Sequence, residues 1–182
     1  MKWWEHNFQG IAFGLMDGVI MIVGTLVGLA GATGNAKIVI LGALVAGIAN
    51  SFSNAIGFYT SENAERGQQV RFYEERRGAK SEHKYVHSHS EIIVSTLAAF
   101  CATLLSLFLP VTPFFLVADV WSAVVAALAV AVGILAVMGF FIGKLNKGSG
   151  LLSSAKYVFL GLAGAGLGFV VGDALKHLVG AS

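Results

Sequence analysis

Five long apolar runs, separated by short polar, glycine-rich or proline-bearing stretches, set the rhythm of the chain. They cover about 10–30, about 38–59, about 92–109, a stretch within 114–142, and about 152–175. Roughly 20 apolar residues wound as a helix cross the roughly 30 Å hydrocarbon layer of a bilayer. The pattern therefore predicts an all-α integral membrane protein with five transmembrane helices per protomer, residues 1–182 forming a single transmembrane domain. GATGNAK joins the first two runs, Pro110 and Pro113 mark the connection between the third and fourth, and GKLNKGSG separates the fourth from the fifth. Only one long hydrophilic segment interrupts them, at about 61–91.

Against this background the polar residues at membrane depth stand out. Asp17 lies near the middle of the first run, where a charge costs roughly 2.5–3.5 kcal/mol even on the lenient insertion scale, so such a carboxylate is kept for a function. Gly14, Asp17, Met21, Gly24, Gly28 and Gly31 recur at alternating spacings of three and four, on one stripe of a helix. In the second run Asn50, Asn54, Ser61 and Glu65 follow helical spacing on one side, with Ser51 and Ser53 nearby. Interhelical hydrogen bonds of about 0.6–2 kcal/mol each would account for the asparagines alone. Beside Asp17 in the adjoining helix, a hydrated polar track from mid-membrane to the surface explains them better. Gly164, Gly168 and Gly172 in the fifth run predict a close-packing face. Asp173 near Lys176, and Asp119 near Trp121, are expected at the outer boundary as caps or ion pairs rather than as ligands.

Charge adds the orientation. With the N-terminus in the cytoplasm, that side carries ten basic residues, Lys2, Arg66, Arg71, Arg76, Arg77, Lys80, Lys84, Lys144, Lys147 and Lys156, against Lys37 and Lys176 on the other. This positive-inside bias places the N-terminus and the segment 61–91 in the cytoplasm and the C-terminus outside. The net charge of +2 reflects that bias and gives no indication of nucleic-acid binding. The chain is 56% hydrophobic and 12% charged, against roughly 25% charged in soluble domains. MKWWEHNFQG lacks a signal-peptide pattern, so the first run is expected to be retained as a helix. A prokaryotic plasma membrane is the expected host. The single cysteine, Cys101, excludes an intramolecular disulfide and is expected to pack among apolar neighbours.

The hydrophilic segment is the second place where chemistry is expected, with Glu62, Glu65, Glu74, Glu75, Glu82, His83, His87, His89 and Glu91. Glu62 and Glu65 share a helix face at i, i+3, as do His83 and His87 at i, i+4. Imidazole and carboxylate together suit iron, manganese or zinc; a solvated, salt-bridged helical extension is the simpler reading. No nucleophile with a base, and no pair of acidic motifs, appears at membrane depth, which argues against an enzyme.

At these motifs the chain resembles the vacuolar iron transporter family. FGLMDGVIMIVGTLVGLAGA is similar to its Asp-Gly helix, VAGIANSFSNAIGFY to its second helix, and GKLNKGSGLLSSAKYVFLGLAGAG to its last loop and fifth helix. The resemblance implies a homodimer that moves ferrous iron or manganese out of the cytosol, driven by an inward proton gradient, through a path between the first two helices of both protomers. It implies no cofactor beyond the transported metal and protons, and no partner beyond the bilayer and a second copy. By the resemblance, Asp17 corresponds to the family's membrane-embedded carboxylate, Asn50 stands where the family typically has a glutamate, and Phe58 where it typically has a pore methionine. The hydrophilic segment is shorter than the family's three metal-collecting helices.

Met21, one turn from Asp17, is then expected to supply a thioether in place of that methionine. If the glycine-lined first helices face each other about a two-fold axis, the two Asp17 carboxylates approach and hold a proton that a divalent cation displaces. The expected metal ligands are thus Asp17, Met21, Asn50 and Asn54 in the membrane, with Glu62, Glu65, Glu74, Glu75, Glu82, His83, His87 and His89 in the hydrophilic segment. Two other readings stand beside this one. In the first, Asp17 is only a proton relay in a transporter or channel for another substrate. In the second, a non-transporting membrane protein senses or buffers metal through its Glu/His segment.

Overall fold

The computed structural model describes the backbone of residues 3–77 and 88–179 and the side chains of 8–72, 74–75 and 88–178. The described residues form helices α1 (Trp3–Thr33), α2 (Ala36–Arg77), α3 (His89–Val111), α4 (Pro113–Leu116), α5 (Val120–Leu145) and α6 (Gly150–Val179). Five of them contain segments long and apolar enough to cross a membrane: Phe8–Thr33, Ala36–Phe72, His89–Leu116, Val120–Leu145 and Gly150–Leu178. Glu82, His83 and His87 lie outside the described residues.

The α1–α2 turn is tight because its two residues each satisfy a helix end. Gly34 takes a left-handed conformation (φ 59°) open to glycine, and its N–H donates to the Ala30 carbonyl at 2.9 Å. Asn35 Oδ1 then accepts from the backbone N–H of Lys37 at 3.0 Å and of Ile38 at 3.4 Å, supplying partners at the start of α2. α3 opens on a capping box, in which Ser88 Oγ accepts from the Glu91 N–H at 3.3 Å and Glu91 returns the bond to the Ser88 N–H at 2.8 Å.

Two boundaries differ from the hydropathy reading. Pro110 lies inside α3, while Pro113 opens the four-residue α4 near a helix start that has no use for its missing N–H. The fourth span therefore begins at Val120, capped by Asp119 Oδ2 accepting from the Ser122 N–H at 2.8 Å. The larger difference is in α2, which continues unbroken for 42 residues, about 60 Å of helix at 1.5 Å per residue. The first half of the hydrophilic segment is thus a continuous helical extension of the second span.

α1 is the central helix and packs against α2, α3, α5 and α6. Val19, Ile22 and Leu26 are fully buried with Leu107 of α3, Leu135 of α5 and Val39 of α2. Inside a bilayer, lipid tails are as apolar as leucine, so helices associate through close van der Waals contact, and small residues allow the backbones to approach. At one end of α1 a Cβ on Gly10 or Gly14 would collide with the Ser95 or Ala99 carbonyl of α3. At the other end a Cβ on Gly28 would stand 2.7 Å from the Gly168 carbonyl oxygen, and one on Gly168 or Gly172 would strike the Gly24 or Gly28 carbonyl. The α6 glycines therefore form the packing face expected of them. The α1 glycines, expected to face the same helix of a second copy, are occupied within the protomer. Their mean spacing of 3.5 drifts against the 3.6-residue turn, and the neighbour they meet changes from α3 to α6 along the helix.

Candidate functional site

Because α1 and α2 run antiparallel from a two-residue turn, side chains at four-residue intervals on their facing sides meet in successive layers. In the innermost layer Asp17 Oδ2 accepts from Asn54 Nδ2 at 2.7 Å and from Asn50 Nδ2 at 3.1 Å. One turn back along α1, Phe13 rests on Phe58, the ring centroids 5.8 Å apart and the planes tilted by 38°. A further turn back, Gln9 Nε2 donates to Glu62 Oε1 at 3.2 Å. Gln9, Phe13 and Asp17 form one row, and Asn50, Asn54, Phe58 and Glu62 the other, with layers about 6 Å apart at helical rise.

Depth and exposure give this ladder its meaning. Asp17 comes nine residues after the start of the span Phe8–Thr33, about 14 Å of helix and so near mid-membrane. Among the described residues of α1 between 8 and 32, only Gln9, Phe13 and Asp17 are exposed. Phe58 and Glu62 are each 6% exposed, and Asn50 and Asn54 are half-buried. The protomer thus presents at mid-depth an exposed carboxylate held by two amides, along the seam between α1 and α2.

The polar track expected along α2 is interrupted. Asn50 and Asn54 do reach Asp17, but the next turn on that row is Phe58 rather than a polar residue, and Phe13 closes over it. Ser61 and Glu65 lie on an exposed side instead, where Glu65 Oε1 accepts from Gln69 Nε2 at 3.1 Å. Glu62 and Glu65 therefore diverge, the first turned into the α1–α2 seam and the second outward. Glu74 and Glu75 are exposed near the end of α2, and His89 is exposed in the first turn of α3. Among the described residues, no three His, Cys, Asp or Glu side chains come close enough together to hold a metal ion.

Met21 keeps its place on the Asp17 side of α1, one turn farther along, with the Thr25 hydroxyl beside it. Thr25 Oγ1 lies 3.4 Å from Met21 Sδ and donates to the Met21 carbonyl at 2.9 Å. Cys101, expected to pack, is exposed on α3. Asp173 approaches His177 Nε2 at 3.9 Å, a full turn along α6, rather than Lys176, which falls short of that turn. Asp119 is the cap its position suggested, and hydrogen bonds from Ser122, the backbone N–H foremost, hold its carboxyl below the ordinary carboxylate value. Gln9 and Phe13 were missed by sequence reasoning; the signal that finds them is their four-residue spacing to Asp17.

Comparison with known proteins agrees with these helices. The sequence model of the VIT family matches residues 8–92, which hold the whole ladder. An uncharacterized protein of Methanocaldococcus jannaschii is 34% identical over 172 residues, spanning 92% of this chain and 89% of that one. With the Asp17 helix, the asparagine-bearing second helix and the five-span bundle all accounted for, the chain belongs to the VIT family.

Proposed function

We propose that the protein is a proton-coupled transporter that moves a divalent transition metal, iron or manganese, out of the cytosol as a homodimer. VIT family proteins are transporters and not enzymes, which supports metal transport in general. The observation that carries the reading for this chain is Asp17, a carboxylate at mid-depth held by Asn50 and Asn54 and open toward the outside of the protomer. A charged side chain in that position is costly to keep in lipid, and one that faces a water-filled path is a binding or relay group.

In this reading a second copy covers the open seam between α1 and α2, and the path runs between the first two helices of both protomers. Asp17 takes a cation or a proton in turn, because either occupies the same carboxylate oxygens. Glu62 with Gln9 stands at the cytoplasmic end of the seam, and the Phe13–Phe58 layer separates it from Asp17. The N-terminus and the α2 extension face the cytoplasm, as the basic residues indicate; a prokaryotic plasma membrane suits that orientation. Glu65, Glu74, Glu75 and His89 would gather cations near the surface, along with Glu82, His83 and His87.

The test is uptake of ferrous iron and manganese by proteoliposomes, followed with an internal metal-quenched dye with and without a proton gradient. The expected result is gradient-dependent flux that Asp17→Ala abolishes. Folded protein that passes neither metal would refute the transport reading.

A further inference from the structure

We infer that Asn50 and Asn54 set the cation preference of the Asp17 site, turning their carboxamides to complete an all-oxygen cage for hard divalent cations of the manganese, magnesium and calcium class. This rests on the reading of Asp17 as the cation site and extends what that site accepts from manganese to magnesium and calcium.

An ionised carboxylate has no proton to give, so a carboxamide next to it must present its N–H. Both asparagines do so, and both aim at the same oxygen, Asp17 Oδ2. Among the described residues, Asp17 Oδ1 and the two amide oxygens accept no hydrogen bond. The terminal torsion of asparagine is broad and roughly two-fold. Half a turn about it exchanges nitrogen for oxygen at nearly the same place. A cation that enters against Asp17 repels the two N–H groups and attracts the two amide oxygens, so the same three side chains that grip one another when empty become a carboxylate and two carbonyl-type ligands when filled. The four-residue spacing of the asparagines puts both amides on one face of α2, next to the Asp17 carboxylate.

The chemistry of that donor set fixes its class. Carboxylate, carbonyl and water oxygens suit magnesium, calcium and manganese, whereas thioether and thiolate select softer metals. The side chains that meet at this point, Asp17, Asn50 and Asn54, carry no sulfur, and Met21 stands one turn farther along α1. An oxygen cage has little means of preferring a thiophilic cation over a hard one of similar size.

The experiment uses the full chain carrying Cys101→Ser, in nanodiscs. Mn2+ binding is followed by electron paramagnetic resonance and competed with Mg2+, Ca2+ and Cd2+, and the part lost in Asp17→Asn is taken as the site. The expected result is that Ca2+ and Mg2+ displace Mn2+ at concentrations within about tenfold of those needed for Cd2+, and that Asn54→Met shifts the ratio toward Cd2+ by at least about tenfold, as a sulfur ligand would. Asn54→Gln, which keeps the amide, is expected to retain the hard-cation ranking, and this variant guards against loss of folding in Asn54→Met. A wild-type site that takes Cd2+ more than about a hundredfold more readily than Mg2+ would overturn the inference, as would a ratio that Asn54→Met leaves unmoved in folded protein. Flux in proteoliposomes separates the two readings. Asp17-dependent flux with a soft-metal ranking defeats the inference alone, whereas hard-cation binding at Asp17 without flux defeats transport alone. Absence of any Asp17-dependent binding defeats both.

Discussion

Two amide donors on a single carboxylate oxygen make Asp17 a positioned group rather than a loose charge. Each bond between membrane helices is worth about 0.6 kcal/mol on average and up to about 1.7, enough to fix the carboxylate's direction without making it costly to release. Asp119 shows the opposite use of the same chemistry. Exposed beyond the membrane span, it spends its hydrogen bonds on closing the start of α5 and has no second helix to meet. Its carboxyl is held below 3.8 by Ser122, first through the backbone N–H. A carboxyl lowered in the folded state adds stability above the unfolded value and gives it up as pH falls through the folded one. Asp119→Ala is therefore expected to melt at a lower temperature than wild type near neutral pH, with the two melting temperatures converging as pH is taken below 3.8. A gap that persists unchanged in acid would mean that the ionised cap is not its source. At this scale the inner site was legible in the sequence, since helical periodicity alone puts Asn50 and Asn54 on one face and Asp17 on a neighbouring helix. The outer layers were not. Which residues of α2 continue the row depends on its rotation against α1, so the choice of Ser61 and Glu65 passed over Phe58 and fell one residue short of Glu62 and Arg66.

Between elements, the glycines decide how close helices come. Where α1 crosses α6, Gly24 and Gly28 interleave with Gly164, Gly168 and Gly172, and backbone carbonyls occupy the space a methyl group would need. Adding side-chain atoms to a well-packed contact costs about 1–3 kcal/mol. Gly168→Val is accordingly expected to lower unfolding stability by about that amount, read by thermal or denaturant unfolding in detergent. Gly166, two residues away on the same helix with open space where its Cβ would be, gives the control. Gly166→Ala is expected to be neutral or to stabilise by up to about 1 kcal/mol, through helix propensity alone. Equal losses at both positions would show that the glycines act through backbone flexibility and not through contact. Hydropathy placed all five spans because length and apolarity are what a bilayer demands. It lost α2 at Tyr59 because beyond that point the helix rests on local hydrogen bonds and on good helix formers such as Ala64, Glu65, Arg66 and Gln68, which carry no apolar signal.

For the whole molecule the question is what covers the α1–α2 seam. Between residues 8 and 32, α1 is exposed only along the row Gln9, Phe13 and Asp17, and α2 exposes Leu41, Val45, Ile48, Phe52 and Ile56. Lipid suits those apolar side chains but not Asp17, whose partners Asn50 and Asn54 leave one carboxylate oxygen unbonded. The α6 face, with Leu151, Phe159, Leu167 and Leu178 exposed and no charge at mid-depth, suits lipid throughout. In the proposed homodimer, a second copy related by a two-fold axis would cover the first surface with the same polar-and-apolar pattern, as a self-complementary contact requires. The glycines do not select that axis, being used up against α3 and α6, so the exposed row itself must. In a Cys101→Ser background, Phe13→Cys is expected to give a cross-linked homodimer on mild oxidation in native membranes, and Phe159→Cys on the α6 face to remain a monomer. The reverse pattern would place the interface on α6 and leave Asp17 facing lipid, and the seam between α1 and α2 would then have to carry ions within one protomer. Cross-linking at Phe13 that is lost in Asp17→Leu but kept in Asp17→Asn would show that a polar group at mid-depth, rather than apolar area, holds the two copies in register.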